Sequence, residues 1–334
     1  MTLHGGAHNF YDVLSRQGAD GKLLKPVELA AQSYPVIHDA MVEEGNLPLA
    51  EKTIQRTGLP PFAKRRANAG VAPTKSTTGV VIDTMMALEA NSEIDELNLI
   101  GIDNITQYRM DEGNAFFESG AQAGAYYTWY GNELTAADEF TGFVPRYDAL
   151  GDQVLDAGGS SNQCSIFVVK WDLTQGCKFI YPRGSQAGLR RIEGGRQRIT
   201  DAVGGNAANY YAYCETFSWH FGLSIKRPDA VCRIANIDQA EAIGISGAQQ
   251  LTDYGTFCLY LLEQAVGRVH NVEGGRTMIY MSRTMREALC RQFAATTHQN
   301  AFSFEQIDGR RVTRYMGLDV RTEDQLVEGE SPVG

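Results

Sequence analysis

Glu51-Lys52-Thr53-Ile54-Gln55-Arg56-Thr57-Gly58-Leu59-Pro60-Pro61 opens the stretch on which the reading of this chain turns. It continues through Phe62, Lys64 and Arg65 to Arg66-Ala67-Asn68-Ala69-Gly70, and closes on Gly79-Val80-Val81-Ile82-Asp83. Between 47 and 91 the chain is punctuated by Pro48, Pro60, Pro61 and Pro73 and by Gly58, Gly70 and Gly79. Arg56, Lys64, Arg65, Arg66 and Lys75 cluster there against the acids Glu51 and Asp83. With few apolar residues before Val80, the segment cannot offset its own ordering entropy by burial. A loop of this length is also unusual inside a compact domain. It is therefore either disordered or an extended arm that folds on something else. Its flanks, 51–56 and 79–88, can pair as a long two-stranded ribbon. Such a ribbon is marginal in water on its own and needs a partner surface.

Around this segment the sequence reads as an ordinary folded chain. It has 334 residues, 43% of them apolar and 21% charged, enough for one large domain or two smaller ones. The formal charge of −10 is opposite to that of a general nucleic-acid binder. No apolar window is long enough to span a bilayer, and no signal peptide is visible at the N-terminus. The six cysteines form no CxxC unit and read as scattered thiols of a reducing compartment.

Residues 1–23 are polar and Gly-rich, like an arm without a core, and 24–44 read helically with a break at Pro35. The strongest helix signal runs over 106–130, about 38 Å at ~1.5 Å per residue. Asn104 or Thr106 can cap it, and Gly131-Asn132 can end it. Phe116, Gly120, Ala123, Tyr127 and Tyr130 share one face, and the many small residues permit close approach by a neighbour. Strands are expected at 165–171, 178–181, 216–227, 230–237, 276–281 and 312–321. A second helix is expected over 247–272, with the stripe Leu251, Tyr254, Cys258, Leu261, Ala265, Val269 and Val272. A third opens on a capping box at Thr284-Met285-Arg286-Glu287. Gly194-Gly195 and Gly204-Gly205 read as turns. The class is α+β.

The search for reacting groups yields nothing that outweighs a structural explanation. Gly70-Val71-Ala72-Pro73-Thr74-Lys75-Ser76 approaches a phosphate loop, but Thr74 replaces the second glycine and Pro73 removes a backbone donor. His4 and His8 are four apart across Gly5-Gly6 and read as a solvated tail. His220 sits in Ser218-Trp219-His220-Phe221 as a packed or edge histidine. There is no Gly-x-Ser-x-Gly elbow and no His-Glu-x-x-His. No catalytic residue, cofactor or metal is expected.

The stretches 51–61 and 66–70 resemble the extended loop of tailed-phage major capsid proteins of the Hong Kong 97 fold, in the subgroup found in short-tailed phages. Tyr130-Gly131-Asn132, Phe140 to Tyr147, Trp219 to Leu223, Arg233 to Ile237, Met278 to Arg283 and Tyr315 to Val320 match in the same order. The likeness covers about 51–330. It implies an N-terminal arm (1–45), an extended β-ribbon loop (46–92), a peripheral domain with a long spine helix (93–147 and 301–334) and an axial domain (148–300), with strands 216–237 possible members of the peripheral domain. It implies a virion shell protein that assembles with copies of itself into hexamers and pentamers around packaged DNA, in the host cytoplasm. Portal and cement or decoration proteins follow as partners. Because the chain starts almost directly at the arm, a separate scaffolding protein is expected. Arg56, Leu59, Phe62, Lys64, Arg65 and Arg66 would contact a neighbouring subunit, the cations meeting Glu133, Asp138, Glu139 or the acidic tail. The face Phe116, Gly120, Ala123, Tyr127 and Tyr130 would pack the spine helix. Three other readings stay open: an encapsulin-like shell with an enzyme cargo, an enzyme with a long lid, and a minor structural or decoration protein of a virion.

Overall fold

The computed structural model describes residues 32–100, 102, 104–159, 162–200, 209–239, 242, 259–295, 302–307 and 310–334. Along the chain run α1 (Pro35–Asp39), β1 (Val42–Glu44), β2 (Ala50–Gly58), β3 (Thr77–Thr84), β4 (Met86–Asp95), α2 (Ile105–Tyr130) and α3 (Phe143–Arg146). There follow β5 (Val154–Asp156), β6 (Gln163–Trp171), β7 (Cys177–Tyr181), β8 (Arg190–Thr200), β9 (Asn209–Ile225) and β10 (Val231–Asp238). The last elements are α4 (Leu259–Arg268), β11 (Arg276–Met281), α5 (Arg283–Ala295), β12 (Phe302–Ile307), β13 (Arg310–Tyr315) and β14 (Leu318–Thr322). Two compact units form. One holds Gln32, Ala87–Ala125 and Ala187–His220; the other holds Ser33–Met86, Tyr126–Gln186 and Phe221–Gly334.

In the larger unit every residue of β6 is buried. Successive side chains of a strand point to opposite faces. Ile166 and Val168 therefore join Cys232, Ile234 and Ile279 in a core that also takes residues of α4 and α5. Phe167 and Trp171 face the other way, into an aromatic layer with Trp129 and Phe143. β11 and β10 flank β6, both antiparallel to it. β14 runs parallel to β11, and β13 and β12 extend that side as antiparallel neighbours. β7 pairs in parallel with β1 and antiparallel with the last residues of β9.

In the smaller unit β8 and the first part of β9 form a long antiparallel hairpin. Phe116 stacks on Phe217 with ring centroids 4.8 Å apart. Glu215, 4% exposed, receives hydrogen bonds from Arg109 Nε at 2.7 Å and Arg191 Nε at 2.6 Å. A small core gathers Ile94, Leu99, Ile102 and Tyr108.

The structure departs from the sequence expectations at identifiable places. Residues 32–34 are not helical and α1 begins at Pro35, which occupies the first turn, where its missing N–H costs nothing; the expected helix does not reach 44, since Val42–Glu44 is strand β1 paired with β7. The expected segment 24–31 lies outside the described residues. So does the front of the expected helix 247–272, with Leu251, Tyr254 and Cys258; Leu261, Ala265 and Val269 of that stripe are buried. The cap of α5 is Ser282, whose Oγ accepts the Met285 N–H at 3.3 Å, while the Thr284 hydroxyl bonds Glu328. The expected strand 312–321 is two strands. Met316 and Gly317, at φ 50° and 81°, make the mirror-image turn that matches strand twist and closes β13 on β14. Gly194-Gly195 is not a turn but a bulge within β8, with Gly195 at φ 67° and the pairing shifted between Glu193 and Gly195. Gly204-Gly205 lies outside the described residues.

Candidate subunit interface

β2 and β3 pair antiparallel, with Glu51 opposite Asp83, Thr53 opposite Val81 and Ile54 opposite Val80. Alternation gives the ribbon two unlike sides. Lys52, Ile54, Arg56, Thr78, Val80 and Ile82 form the outer side, with Ile54 67%, Val80 55% and Ile82 57% exposed. Glu51, Thr53, Gln55, Gly79, Val81 and Asp83 form the inner side, buried or half-buried.

Beyond Gly58 regular pairing ends, and every residue from 61 to 75 is exposed. Leu59 is 77% exposed, and Phe62 shows as much surface as in an extended peptide. The tip turns at Arg66–Ala69, with Asn68 at φ 64° and Arg65 Nε donating to Ala69 O at 2.9 Å. Arg56, Lys64, Arg65 and Arg66 make no ion pair among the described residues. The six loop residues singled out from the sequence thus share one exposed projection, its cations unspent and its apolar groups uncovered.

The base of the ribbon is different. Lys178 Nζ on β7 donates to Glu51 Oε1 and to Glu43 Oε2, both at 2.5 Å. Arg146 Nη1 from α3 donates to Asp83 Oδ1 at 2.7 Å, and its remaining donors reach Thr141 O and Leu223 O. Glu51 and Asp83 are 5% and 1% exposed. Gln55 Nε2 donates to Lys226 O at 2.9 Å, and the Thr84 hydroxyl to Glu133 Oε2 at 2.9 Å. The hydrogen bond from Lys178 holds the Glu43 carboxyl below the usual range. Burial alone would lower Lys178, but its two carboxylate partners outweigh this and raise it. A polar groove of about 970 Å³ beside β2 is bordered by Lys52, Gln55, Asp152, Lys226 and Asp229. In the sequence Glu51 and Asp83 stand out only as the two acids beside the basic cluster.

The five residues expected on one face of α2, namely Phe116, Gly120, Ala123, Tyr127 and Tyr130, are all half-buried. The most buried positions lie one step round the helix, at Tyr108, Glu112, Ala125, Thr128 and Trp129. The closest approach is at Gly124, where a Cβ would fall 2.1 Å from Trp219 Cζ3. At Gly120 it would meet Leu189 at 3.0 Å. Tyr127 O accepts the Gly131 N–H that ends the helix, and Asn104 Oδ1 accepts the Gln107 N–H that starts it. Tyr130 donates to Glu330 Oε1 at 2.7 Å; burial and that carboxylate raise its pKa.

The acids proposed to meet the loop cations are mostly occupied within the subunit. Glu139 accepts the Asn132 N–H, and Asp324 pairs with Arg283 at 2.5 Å. Glu330 pairs with the buried Arg233 at 2.8 Å and also takes the Ser165 hydroxyl. Glu323 is fully buried, and burial pushes its carboxyl up to about 8. Asp138 stays exposed. Among the described residues no group of three or more His, Cys, Asp or Glu side chains could hold a metal, and no helix is long and apolar enough to cross a membrane.

Residues 18–334 match the family described as major capsid protein GP7. The chain belongs to that family. As a GP7 major capsid protein it is a structural component of the icosahedral shell of a phage virion, and not an enzyme. A chain of the cryo-EM structure of bacteriophage Epsilon15 superposes with a TM-score of 0.77 at 22% identity, covering 100% of this chain and 99% of that one. That likeness places the GP7 fold among those of the Hong Kong 97 type. The capsid of bacteriophage JBD30 aligns over 90% of this chain and 93% of its own, at 11% identity and a TM-score of 0.47. The SrpI encapsulin from Synechococcus elongatus PCC 7942 aligns over 71% of this chain and 97% of its own, at 9% identity and a TM-score of 0.45. No curated protein matches the sequence.

Proposed function

We propose that this capsid protein tiles the shell as hexamers and pentamers and that the loop 46–92 is the element by which one subunit grips the next. The observation that carries this reading is the combination of an uncovered apolar ribbon face with a fully exposed, cationic tip. Covering an exposed Leu, Ile or Phe side chain contributes roughly 1.5–3 kcal/mol. An exposed ion pair contributes about 0–1 kcal/mol. Ile54, Leu59, Phe62, Val80 and Ile82 would therefore supply the attraction, and Arg56, Lys64, Arg65 and Arg66 the register. Asp138, exposed and unpaired among the described residues, is an acid that could meet them.

In the same reading residues 1–45 are the arm, 93–147 with 301–334 the peripheral domain built on α2 as its spine, and 148–300 the axial domain. A separate scaffolding protein, a portal and a cement or decoration protein would complete the head, assembled in the host cytoplasm around DNA held without sequence-specific contacts. Replacing Arg65 and Arg66 together by glutamate tests the grip. A soluble, folded subunit that forms no shells in electron micrographs is expected; normal particles would refute the role.

A further inference from the structure

Glu51 and Asp83 stand directly opposite each other at the base of the ribbon, both on its inner side and both buried. Like charges in that relation weaken a strand pair. A carboxylate left unpaired at such a depth is strongly destabilising. The base can therefore close only where each carboxylate has a cation. Those cations come from two separate places in the body: Lys178 on β7 and Arg146 on α3. One oxygen of each carboxylate, Glu51 Oε2 and Asp83 Oδ2, has no hydrogen-bond partner among the described residues, so neither acid is overbound and neither can spare its cation.

We propose that Glu51, Asp83, Lys178 and Arg146 form a coupled clasp that closes the ribbon base only when it is seated on the body, and so sets the direction in which the loop projects before assembly. The four are positioning residues. Their mutual dependence is what separates a clasp from two independent anchors. With one cation missing, its carboxylate repels the other across the ladder, and both strands leave together. With one carboxylate also neutralised, the repulsion is gone and the survivor can share the cation that remains. The proposal deepens the reading of 46–92 as the gripping loop and rests on it for its purpose, but not for its test.

The test is amide hydrogen exchange in the full-length, unassembled subunit, which reads the clasp without reference to shell formation. Lys178→Met is expected to speed exchange at 50–55 and 80–84 about tenfold or more, while β6 and β11 keep their protection. Adding Asp83→Asn, which removes the charge opposite and not the direct partner, is expected to restore most of the lost protection. Unchanged exchange in Lys178→Met, or no recovery in the double variant, would overturn the clasp. Should Lys178→Met not fold, Asp83→Asn alone decides: exchange at the base within about twofold of wild type is expected. A tenfold rise would mean two independent anchors and would overturn the coupling. Particle counts by electron microscopy, scored separately, report on the gripping role.

Discussion

The loop tip (59–76) and the C-terminal tail (323–334) are both extended, irregular and rich in charge, yet they do opposite things. The tail is stitched into its own subunit at each step: Glu323 accepts the Val36 N–H, Asp324 holds Arg283 and Ser33, Glu330 holds Arg233, and Val333 exchanges two hydrogen bonds with Asn236. The tip leaves its side chains to solvent and bonds chiefly to itself. Burial distinguishes them. Glu323, Asp324 and Glu330 in the tail have been taken wholly or partly out of water, so each must be matched inside the fold or, like Glu323, keep its proton, and removing the partner of a buried one destabilises the subunit. A charge at the tip has not, and is free to be matched by another molecule.

The largest effect that would break this contrast belongs to the tail. Arg233→Met leaves the buried Glu330 without its cation, and the subunit is expected to lose about 3–5 kcal/mol in denaturant unfolding. A loss below 1 kcal/mol would put tail and tip in the same class. The next concerns Glu323. Its folded pKa, raised by burial to about 8, lies above the ordinary 4.5, so the folded state holds a proton that the unfolded chain has released. Stability from this group is full below pH 4.5 and is lost as pH rises towards 8, then stays level. The span is on the order of 3–5 kcal/mol. Glu323→Gln should flatten that slope, measured as thermal midpoints from pH 5 to 9; an unaltered slope would show that Glu323 does not carry the titration. The smallest effect sharpens the contrast from the other side. Phe62→Ala should change subunit stability by less than about 0.5 kcal/mol while reducing the yield of sedimenting particles. A destabilised subunit would mean that the tip packs at home.

Much of this architecture was legible beforehand, for reasons that can be named. The helix α2 announced itself through length and its Asn104 and Gly131 boundaries, and β11 through a compact apolar run between Gly275 and Ser282. The ribbon was legible because its flanks are the β-prone parts of a segment otherwise broken by Pro and Gly. What stayed hidden depends on long-range partners. β8 carries four arginines and two glycines and has no strand signature of its own; its cross-strand partners on β9 make it a strand. The buried face of α2 was displaced by one position because Trp219 arrives over Gly124, which no local pattern records. The loop residues Arg56 to Arg66, proposed to meet a neighbouring subunit, are visible in the sequence as a charge cluster, whereas the paired acids at the ribbon base are not. Glu51 and Asp83 lie 32 positions apart, and only the strand register brings them face to face.

That register has a practical corollary for variation along the chain. Because sidedness alternates with every residue, one amino acid inserted within 51–56 or 79–84 would turn the seated edge outward and bury the greasy one. Between Gly58 and Thr77 no such bookkeeping applies, since ladder pairing has already lapsed. Length changes, foreign epitopes and drift among relatives should therefore accumulate in that span, leaving the two rails that carry it unaltered in count.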